Sequence, residues 1–518
     1  MRCTTREKLP FPITMNGANA AIGHALRDGM LPAPSATTER SVVIVGAGIA
    51  GLSAARALAK AGLTDFILLD LESGPGGNSR AGSCRQGDFP LGAHYLPLPD
   101  PADTDLMDLM RECGACVGED ENGIPIYRDD YLCSHPQERL FHQGAWRSGV
   151  RPRAGLTAEE AAQFARFDAH VARCAQARDA RGKWVFTVPM ADMSQAVDVA
   201  DRLDLDDITF AEWLDREGLT CAPLRWYLDY CCLDDYGADA GLVSAFAGLH
   251  YFASRRGVAA NAEHGDLLTW PDGNGFLVKA LNRHAEGRMH GGQLVHAVRL
   301  TGGNVAVDVY DVVQQRSHRF LADQVIMAVP RFIAGRLLGP LADGRDVQPH
   351  YAPWVVVNLA LDAYPEERGG EPMAWDNVIH RSRGLGYVNS SHQVLDRVRG
   401  PIITHYRALA TNDPAAARRA ASERSAEDWV TDALDELRVL HPDIDERIVE
   451  GSVALWGHGM VIPVPGEISG EDRRRSAEPI EDRIHFAHSD LSGISIFEEA
   501  FHHGNRAARE VLEQLKSG

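Results

Sequence analysis

Three glycines at a fixed spacing are the first residues of this chain whose pattern predicts a chemistry. Gly46, Gly48 and Gly51 follow an apolar run and precede a helical stretch. In such a loop the first glycine allows a tight turn, the second lets backbone N–H groups approach a pyrophosphate, and the third lets the helix pack closely on the strand. Asp70 ends the next apolar run, 19 residues beyond Gly51, and is spaced to bind ribose hydroxyls. The pattern predicts a dinucleotide-binding loop.

A second glycine-rich stretch follows the acid, and an NAD site has no need of it. It reads Asp70-Leu-Glu-Ser-Gly-Pro-Gly-Gly-Asn-Ser-Arg80. Here the chain resembles the flavin-containing amine oxidoreductases, a family that includes monoamine oxidase, polyamine oxidase and bacterial spermidine dehydrogenase-like flavoproteins. The resemblance implies that Glu72, Gly76, Gly77 and Arg80 help to wrap the pyrophosphate of FAD.

The stretch from Leu91 to Tyr95 resembles the family segment that passes the flavin ring. The resemblance implies flavin contacts from Gly92, Ala93, His94 and Tyr95. His94 is also a candidate base or substrate-orienting group, with a hydrogen-bonded structural histidine as an equal alternative.

The C-terminal part resembles the closing motif of the family, in which an acid binds the ribityl chain and a helix N-terminus faces the flavin N1–C2 carbonyl. Asp490 takes the place of that acid, and Ser495 and Ile496 stand just before the closing helix. A positive helix end at this point would stabilise a reduced, anionic flavin. Val295 falls where a family strand presents its backbone to the adenine. Two further stretches carry the resemblance, Trp270–Leu277 and Val325–Pro330.

Three departures from the family pattern bear on the chemistry. The stretch Trp456–Pro463 has no cysteine where covalent-flavin relatives have one, so we expect non-covalent FAD. Asn358 stands where many relatives place a lysine bridged by water to flavin N5, which leaves open a dehydrogenase that uses an acceptor other than oxygen. Met460 and Ile496 fall near the tyrosine pair that forms the aromatic cage of monoamine oxidase, so a cage here is built differently or the substrate is not a simple arylalkylamine.

Two adjacent acids, Asp234 and Asp235, are the strongest candidates for a substrate contact. Paired carboxylates would attract an ammonium group, and nearby aromatic rings would add cation–π attraction. The structural alternative is that they cap a helix or pair with arginines. With His94 and Asn358 they complete the candidate catalytic residues. The candidate substrate-binding residues are Tyr236, His250, Trp375, Trp456 and His458.

The elements that must position these residues follow from hydrophobic periodicity. Strands are predicted over 41–45, 66–70, 294–300, 305–310, 324–329 and 483–487. Helices are predicted over 20–26, 52–61, 158–180, 193–203, 210–217, 413–440 and 497–515. The first strands and the helix between them form a β-α-β unit.

The recurrence of strand-rich blocks predicts an α/β fold with two domains. A Rossmann-like FAD-binding domain is expected from 40–100, 265–345 and 450–518. The blocks 101–264 and 346–449 are expected to form an α+β substrate-binding domain, and residues 1–39 an N-terminal leader.

Composition excludes several classes of protein. The chain has 518 residues, 45% hydrophobic and 24% charged, which excludes a disordered, collagen-like or coiled-coil protein. A net charge of −20 argues against nucleic-acid binding, since no basic surplus can neutralise phosphates. No apolar run reaches the roughly 18 residues of a membrane span. No metal or nucleophile motif is found, and Cys113-x-x-Cys116 is interpreted as two ordinary thiols.

The function that these patterns favour is oxidation of a cationic amine, a polyamine above all, by hydride transfer to flavin N5, which gives an imine and then an aldehyde. The expected partners are that amine and either oxygen or another electron acceptor. A desaturase-like or porphyrinogen-oxidase-like flavoenzyme and a non-catalytic FAD-holding maturation partner are the alternatives. The expected localisation is cytoplasmic as the sequence stands, or periplasmic if an export signal was removed. Oligomeric state, a homodimer included, stays open.

Overall fold

Two large β-sheets organise the chain. The computed structural model describes residues 9–28, 31–190, 204–342, 349–394, 400–409 and 413–517. The strands are β1 Ile13–Gly17, β2 Thr37–Val45, β3 Phe66–Leu69, β4 Ala81–Ser83, β5 Asp88–Pro90, β6 Tyr95–Pro97, β7 Cys116–Glu119, β8 Pro125–Tyr127, β9 Glu138–His142, β10 Ala145–Ser148, β11 Leu267–Thr269, β12 Met289–His290, β13 Gln293–Thr301, β14 Asn304–Asp311, β15 Arg316–Met327, β16 Tyr351–Leu361, β17 Asp376–Ile379, β18 Gly386–Asn389, β19 Ile402–Ala408, β20 Ile448–Val461 and β21 Ile484–Phe486.

The helices pack on and between these sheets. They are α1 Ala20–Gly23, α2 Ala25–Asp28, α3 Ile49–Lys60, α4 Thr104–Glu112, α5 Ala158–Gln176, α6 Phe210–Arg216, α7 Ala222–Tyr236, α8 Ala245–Ala253, α9 Gly275–Asn282, α10 Arg331–Leu338, α11 Pro414–Ser422, α12 Ala426–Leu440, α13 Ile444–Arg447, α14 Glu471–Ala477 and α15 Phe497–Ser517.

The first sheet has seven strands in the order β12-β3-β2-β15-β14-β13, with β21 paired to β15. Strands β2, β3 and the second half of β15 run parallel. Their apolar runs, such as Val42–Val45 and Phe66–Leu69, are buried along their whole length, as parallel strands covered on both faces require. Helices α3 and α15 pack closely on one face, since a Cβ at Gly504 would lie only 2.2 Å from Ala50 O. This sheet carries the β-α-β unit predicted from the sequence.

The second sheet has eight strands in the order β1-β20-β16-β19-β18-β17-β9-β10. All eleven residues of the central strand β16 are buried. Helix α12 covers one face of this sheet with a core that includes Trp429, Leu434 and Leu437. Helices α5 to α8 contribute to a larger core that includes other residues of the same sheet. The second sheet therefore lies between these helices and α12.

The sheets divide the chain somewhat differently from the expected domain boundaries, which stay a prediction. Residues 13–17, expected in a leader, form β1 and pair in parallel with β20. Residues 448–461, expected at the start of the last FAD-binding segment, belong to the second sheet through β20. The helix predicted over 193–203 lies outside the described residues. Among the helices that the structure describes, none has the length and apolarity that crossing a membrane requires.

Candidate active site

The glycine loop after β2 leaves an open cradle at the start of α3. Gly46 has φ of 101°, and a Cβ there would lie 2.3 Å from Ala328 O. At Gly51 a Cβ would lie 1.9 Å from Gly46 O, so helix and loop meet closely. A Cβ at Gly48 would meet nothing within 4 Å, and no side chain caps the helix that begins after it. The cradle over Gly48, at the helix N-terminus, fits a phosphate.

The second glycine pair closes the other side of this cradle. Gly76 and Gly77 both have positive φ, 120° and 55°. Gly76 N donates to Ala47 O at 2.7 Å, and a Cβ at Gly77 would lie 3.3 Å from Gly48 Cα. Asp70 Oδ2 accepts a hydrogen bond from Ala47 N at 2.6 Å. The two loops therefore form one unit whose shape fits a dinucleotide pyrophosphate.

Two charged residues of the second loop are bound to the N-terminal segment, residues 13–28. Glu72 Oε1 accepts from Asn19 N at 2.7 Å, and Glu72 Oε2 lies 3.2 Å from Arg80 Nη1. Arg80 Nη2 donates to Gly17 O at 2.6 Å, while its guanidinium lies 5.2 Å from the ring centre of Trp456. The N-terminal segment is thus fastened to the loop that the sequence assigns to the cofactor.

The segment from Gly92 to Tyr95 passes directly through the site. A Cβ at Gly92 would lie 2.2 Å from Asn78 O, so this backbone approaches the second glycine loop closely. Ala93 N donates to Asn78 O at 3.0 Å. His94 Nδ1 lies 3.1 Å from Gly92 O, and burial lowers the pKa of His94 to about 4. The imidazole is therefore neutral at pH 7, with Nδ1–H donating to the carbonyl and Nε2 left as an acceptor.

The closing segment holds a buried carboxylate beside the start of α10. Asp490 Oδ2 accepts from Arg331 N at 2.8 Å and also from the hydroxyl of Tyr351. Burial raises the pKa of Asp490, but the His488 imidazole and the Arg331 guanidinium outweigh it and hold the pKa at about 2. Ser495 Oγ accepts from Val461 N at 2.9 Å just before α15 begins. This carboxylate is ionised at any physiological pH.

An inner cavity lies where these segments meet, and its empty space, mouth included, is about 900 Å³. Its wall includes Gly92–Tyr95 on one side and Ser495–Phe497 at the start of α15 on another. Trp354, Val356 and Trp456 of the second sheet close it. Three independent parts of the chain therefore converge on one space beside the glycine cradle.

The inner cavity opens into an acidic chamber, whose empty space, mouth included, is about 1590 Å³. Seven residues line both spaces, namely His94, Tyr95, Pro97, Asp234, Asp235, Arg255 and Tyr406. Asp234 and Asp235 come from the last turn of α7, and Asp376 and Glu138 also line the chamber. Asp376 and Glu138 stand directly opposite each other on the parallel strands β17 and β9. The fold thus gathers these four carboxyl groups around one space, which Asp266, Arg151 and Arg153 also line.

Burial raises the pKa of every one of these carboxyl groups. The pKa of Asp235 rises to about 6, with Arg255 opposing the shift, and that of Asp376 to about 7 through burial and the nearby Glu138. Burial, together with the other three carboxyl groups, raises the pKa of Asp234 well above its ordinary range. Burial likewise raises the pKa of Glu138. Mutual repulsion in a desolvated space is relieved when a cation enters it.

Aromatic rings complete the wall between the two spaces. The His94 ring centre lies 5.1 Å from that of Tyr406 and 5.7 Å from that of Trp375. Tyr406 and Tyr230 donate their hydroxyls to the two oxygens of Asp376, at 3.0 and 3.3 Å. The faces of such rings attract cations, so the rings and the carboxyl groups favour the same kind of occupant.

One cation, Arg255, also lines both spaces. Its Nη1 forms an ion pair with Glu498, in the first turn of α15. Glu498 also lines the inner cavity, and Arg255 lowers the pKa of Asp235 against the effect of burial. Arg255 therefore offsets part of the acidic charge without removing it.

Several candidate residues stand outside the lining of both spaces. Asn358 is buried on β16, where its amide donates to Pro90 O and accepts from Thr404. Tyr236 donates to Ala247 O in the core, and His250 Nε2 lies 2.8 Å from Thr187 O. His458 stacks on Phe332. Val295 is buried on β13, beside Val309 of β14.

The structure adds lining residues that the sequence reasoning missed: Asn78, Glu138, Tyr230, Arg255, Asn274, Trp354, Tyr406 and Glu498. Tyr406 lies in a strand whose alternation is hidden, since six of its seven residues are buried. Asn78 and Asn274 lie within two stretches that carry the family resemblance, Asp70–Arg80 and Trp270–Leu277, and these stretches were the available signal for them.

Comparisons with known proteins identify a family and several similar structures. A family model described as flavin containing amine oxidoreductase matches residues 49–512. A putrescine oxidase solved with putrescine bound is similar in structure, with 18% identity, a TM-score of 0.65, and coverage of 92% of this chain and 100% of that chain. Cyclohexylamine oxidase from Brevibacterium oxydans IH-35A has 15% identity and a TM-score of 0.65 at the same coverage.

A third solved structure is a CLA-producing fatty acid isomerase from P. acnes. It has 18% identity, a TM-score of 0.61, and coverage of 90% of this chain and 97% of that chain. Since all three identities are low, these similarities establish a shared fold, and the chemistry has to be argued from this chain's own residues.

Proposed function

Because the chain belongs to the family of flavin-containing amine oxidoreductases, we propose that it binds FAD non-covalently and oxidises a small cationic amine, a diamine or polyamine above all. The observation that carries the substrate class is the acidic chamber beside the inner cavity, because Asp234, Asp235, Asp376 and Glu138 all line it. A substrate with a single charge, held at Asp234 and Asp235, would leave Asp376 and Glu138 without a cation, since neither forms an ion pair within the described residues.

The cradle over Gly48 and the paired glycine loops would hold the pyrophosphate of FAD, with Asp70 near the ribose and Asp490 near the ribityl chain. The inner cavity would take the flavin ring, and none of the residues lining it is a cysteine. This supports non-covalent binding. When bound, the flavin supplies the acceptor for the hydride that leaves the carbon beside the substrate nitrogen.

The residues of this chain would bind and orient the amine. Asp234 and Asp235 stand at the junction of the two spaces, so one ammonium group would lie there and a second would reach toward Asp376 and Glu138. His94, neutral and with Nε2 as an acceptor, would accept a hydrogen bond from the nitrogen to be oxidised. The rings of Tyr95, Tyr406 and others would exclude water.

Slow reaction with oxygen is part of the proposal. Strand β16 contributes Trp354 and Val356 to the inner cavity, and neither can act as the lysine of the oxygen-reactive relatives. Asn358, the residue first matched to that lysine, has its amide bound to Pro90 and Thr404. An acceptor other than oxygen is therefore favoured.

The test is an anaerobic absorbance titration of the flavin-loaded protein with putrescine and with butylamine. The two amines have the same carbon chain and differ by the second ammonium group. We expect putrescine or spermidine to bleach the flavin band at concentrations at least about tenfold below butylamine, as the loss of one charge-assisted contact predicts. Equal potency would contradict the diamine proposal, and a band that no amine bleaches would contradict amine oxidation.

Air readmitted to the bleached sample separates the two kinds of acceptor. A band that recovers within the mixing time would indicate an oxidase and contradict slow oxygen reaction. A band that recovers slowly, and quickly with an artificial acceptor, would support a dehydrogenase.

A further inference from the structure

A second groove lies on another face of the helix that carries Asp234 and Asp235. Trp226, Asp229, Tyr230 and Leu233 of α7 line it, at the three- and four-residue spacing of one helix face. Loops and strands of the second sheet form its other wall. The groove, mouth included, has about 1330 Å³ of empty space. It shares no lining residue with the inner cavity, and only Tyr230 with the acidic chamber.

Four arginines line this groove. Arg381 and Arg383 lie between β17 and β18, Arg407 is on β19, and Arg424 lies between α11 and α12. Within the described residues, Arg381 and Arg383 make no hydrogen bond or ion pair. Arg407 and Arg424 share one carboxylate, Asp432, at 3.4 and 2.8 Å.

The acids that line the groove do not neutralise these arginines. Asp229 accepts from Ala240 N at 3.2 Å and Asp239 accepts from Gly241 N at 3.0 Å, so both are turned to backbone groups at the end of α7. Burial lowers the pKa of Arg407. Asp432 and Glu436 oppose this shift, and the like charges of Arg383 and Arg424 add to it.

The walls between the arginines are apolar. Trp226, Leu385, Leu409 and Trp429 line the groove with three alanines of α11. The Trp429 ring carries the Arg424 guanidinium 3.9 Å from its centre, and Trp429 Nε1 is buried without a hydrogen-bond partner. A ligand that fits both kinds of surface has an anionic head and an apolar or aromatic body.

We propose that this groove, formed by α7, the Arg381–Leu385 loop and the start of α12, binds a small organic anion that carries a phosphate or carboxylate group on an apolar body. Guanidinium groups pair with both kinds of anion through two parallel N–H donors. A polyamine would be repelled here, so the groove and the acidic chamber select opposite charges on two faces of one helix. The proposal does not depend on the proposed function.

Isothermal titration of the flavin-loaded protein with phenyl phosphate at low ionic strength tests the site. Loading with flavin keeps the phosphate probe out of the cradle over Gly48. We expect saturable binding, which the double variant R381Q/R383Q weakens at least about tenfold because two charge-assisted contacts are lost. Arg85→Gln is the matched control, since Arg85 is exposed and lines neither the groove nor the cavities. It should leave binding unchanged.

Inorganic phosphate and benzoate define the two halves of the ligand. Inorganic phosphate should bind more weakly than phenyl phosphate, because it leaves the apolar walls of the groove uncovered. Equal affinity for the two would contradict the proposal that the ligand has an apolar body. Saturable binding of benzoate would extend the site to carboxylates, and its absence would overturn that half of the proposal. Absence of saturable phenyl phosphate binding, or unchanged binding in R381Q/R383Q, would overturn the site as a whole.

Discussion

At the scale of single residues, the acidic chamber depends on carboxyl groups that become protonated, and so lose their charge, at an unusually high pH. A carboxyl group with a raised pKa is ionised only above that pKa, so its attraction for an ammonium group disappears as the pH falls through the raised value. The relevant values are about 6 for Asp235 and about 7 for Asp376. Substrate capture should therefore depend on pH in a range where ordinary carboxylates do not titrate.

We predict that kcat/KM for putrescine, relative to that for butylamine, rises with pH between about 5.5 and 7.5, since this profile reports the groups of the free enzyme. The ratio removes the ionisation of the amine that both substrates share. Asp376→Asn should flatten the part of the profile near pH 7, whereas Asp323→Asn, an exposed acid away from the chamber, should not. A ratio independent of pH in the parent protein would speak against the chamber as the binding site of the second ammonium group.

Gly48 allows a sharp test of the cofactor cradle. A Cβ at this position meets only open space in the protein, so Gly48→Ala should fold normally and yet lose most of its flavin by blocking the pyrophosphate. The measurement is the ratio of flavin to protein absorbance, with melting temperature after flavin removal as the check on folding. Gly118→Ala, at another glycine with open space, should keep its flavin. A Gly48→Ala protein that keeps its full content of flavin would show that the cradle over Gly48 does not bind the cofactor.

The sequence allowed the cradle and two chamber acids to be predicted, but not their surroundings. Gly48 and Asp234 stand out locally, one by spacing and the other by an acidic pair in an apolar stretch. Tyr406 and Arg255 come from distant parts of the chain and have no local signal. The order of strands in the second sheet brings Tyr406 on β19 toward α7, and Arg255 lines the same space from just after α8. Asn358 shows the same difficulty, since its neighbours Val356 and Trp354 line the cavity in its place.

At the scale of elements, the N-terminal segment is the part least expected from the sequence. It precedes the residues matched by the family model and yet forms the edge strand β1 against β20. Its polar sequence has no apolar run, so hydrophobic periodicity does not predict a strand there. An edge strand pairs on one side only and can therefore form without such a run. The β-α-β unit, in contrast, was predictable since its strands are continuous apolar runs and its glycines mark the turn.

Gly17→Ala should loosen the N-terminal segment and speed the loss of flavin. Gly17 has φ of 112°, and a Cβ there would lie 2.3 Å from Leu455 O. We expect a destabilisation of about 1–3 kcal/mol and faster flavin release on dialysis, because Arg80 and Glu72 would lose Gly17 O and Asn19 N as partners. Gly62→Ala shares the positive φ but meets nothing within 4 Å, so it should be destabilised without releasing flavin. Equal release from both variants would argue that the segment has no role in holding the cofactor loop.

At the scale of the whole molecule, the net charge of −20 acts together with the acidic chamber. A negative surface raises the local concentration of cations and steers them toward the negatively charged opening of the chamber. Salt screens this attraction, with a screening length of about 10 Å at 0.1 M. The arginine-lined groove is a local exception, which a uniformly acidic surface would not favour. Long-range charge should therefore affect substrate association more than any single exposed acid does.

Salt dependence tests this whole-molecule effect. We predict that kcat/KM for spermidine falls about three- to tenfold between 0.02 and 0.3 M salt, that putrescine falls less, and that butylamine falls least, because steering grows with the charge of the ligand. The three amines are compared at one pH in sodium chloride and again in potassium chloride, so that a specific ion effect is separated from screening. Since kcat at saturation does not include the association step, it should stay nearly constant. Equal slopes for all three amines would mean that the acidic surface serves solubility alone, and that only the chamber carboxyl groups recognise the charge of the substrate.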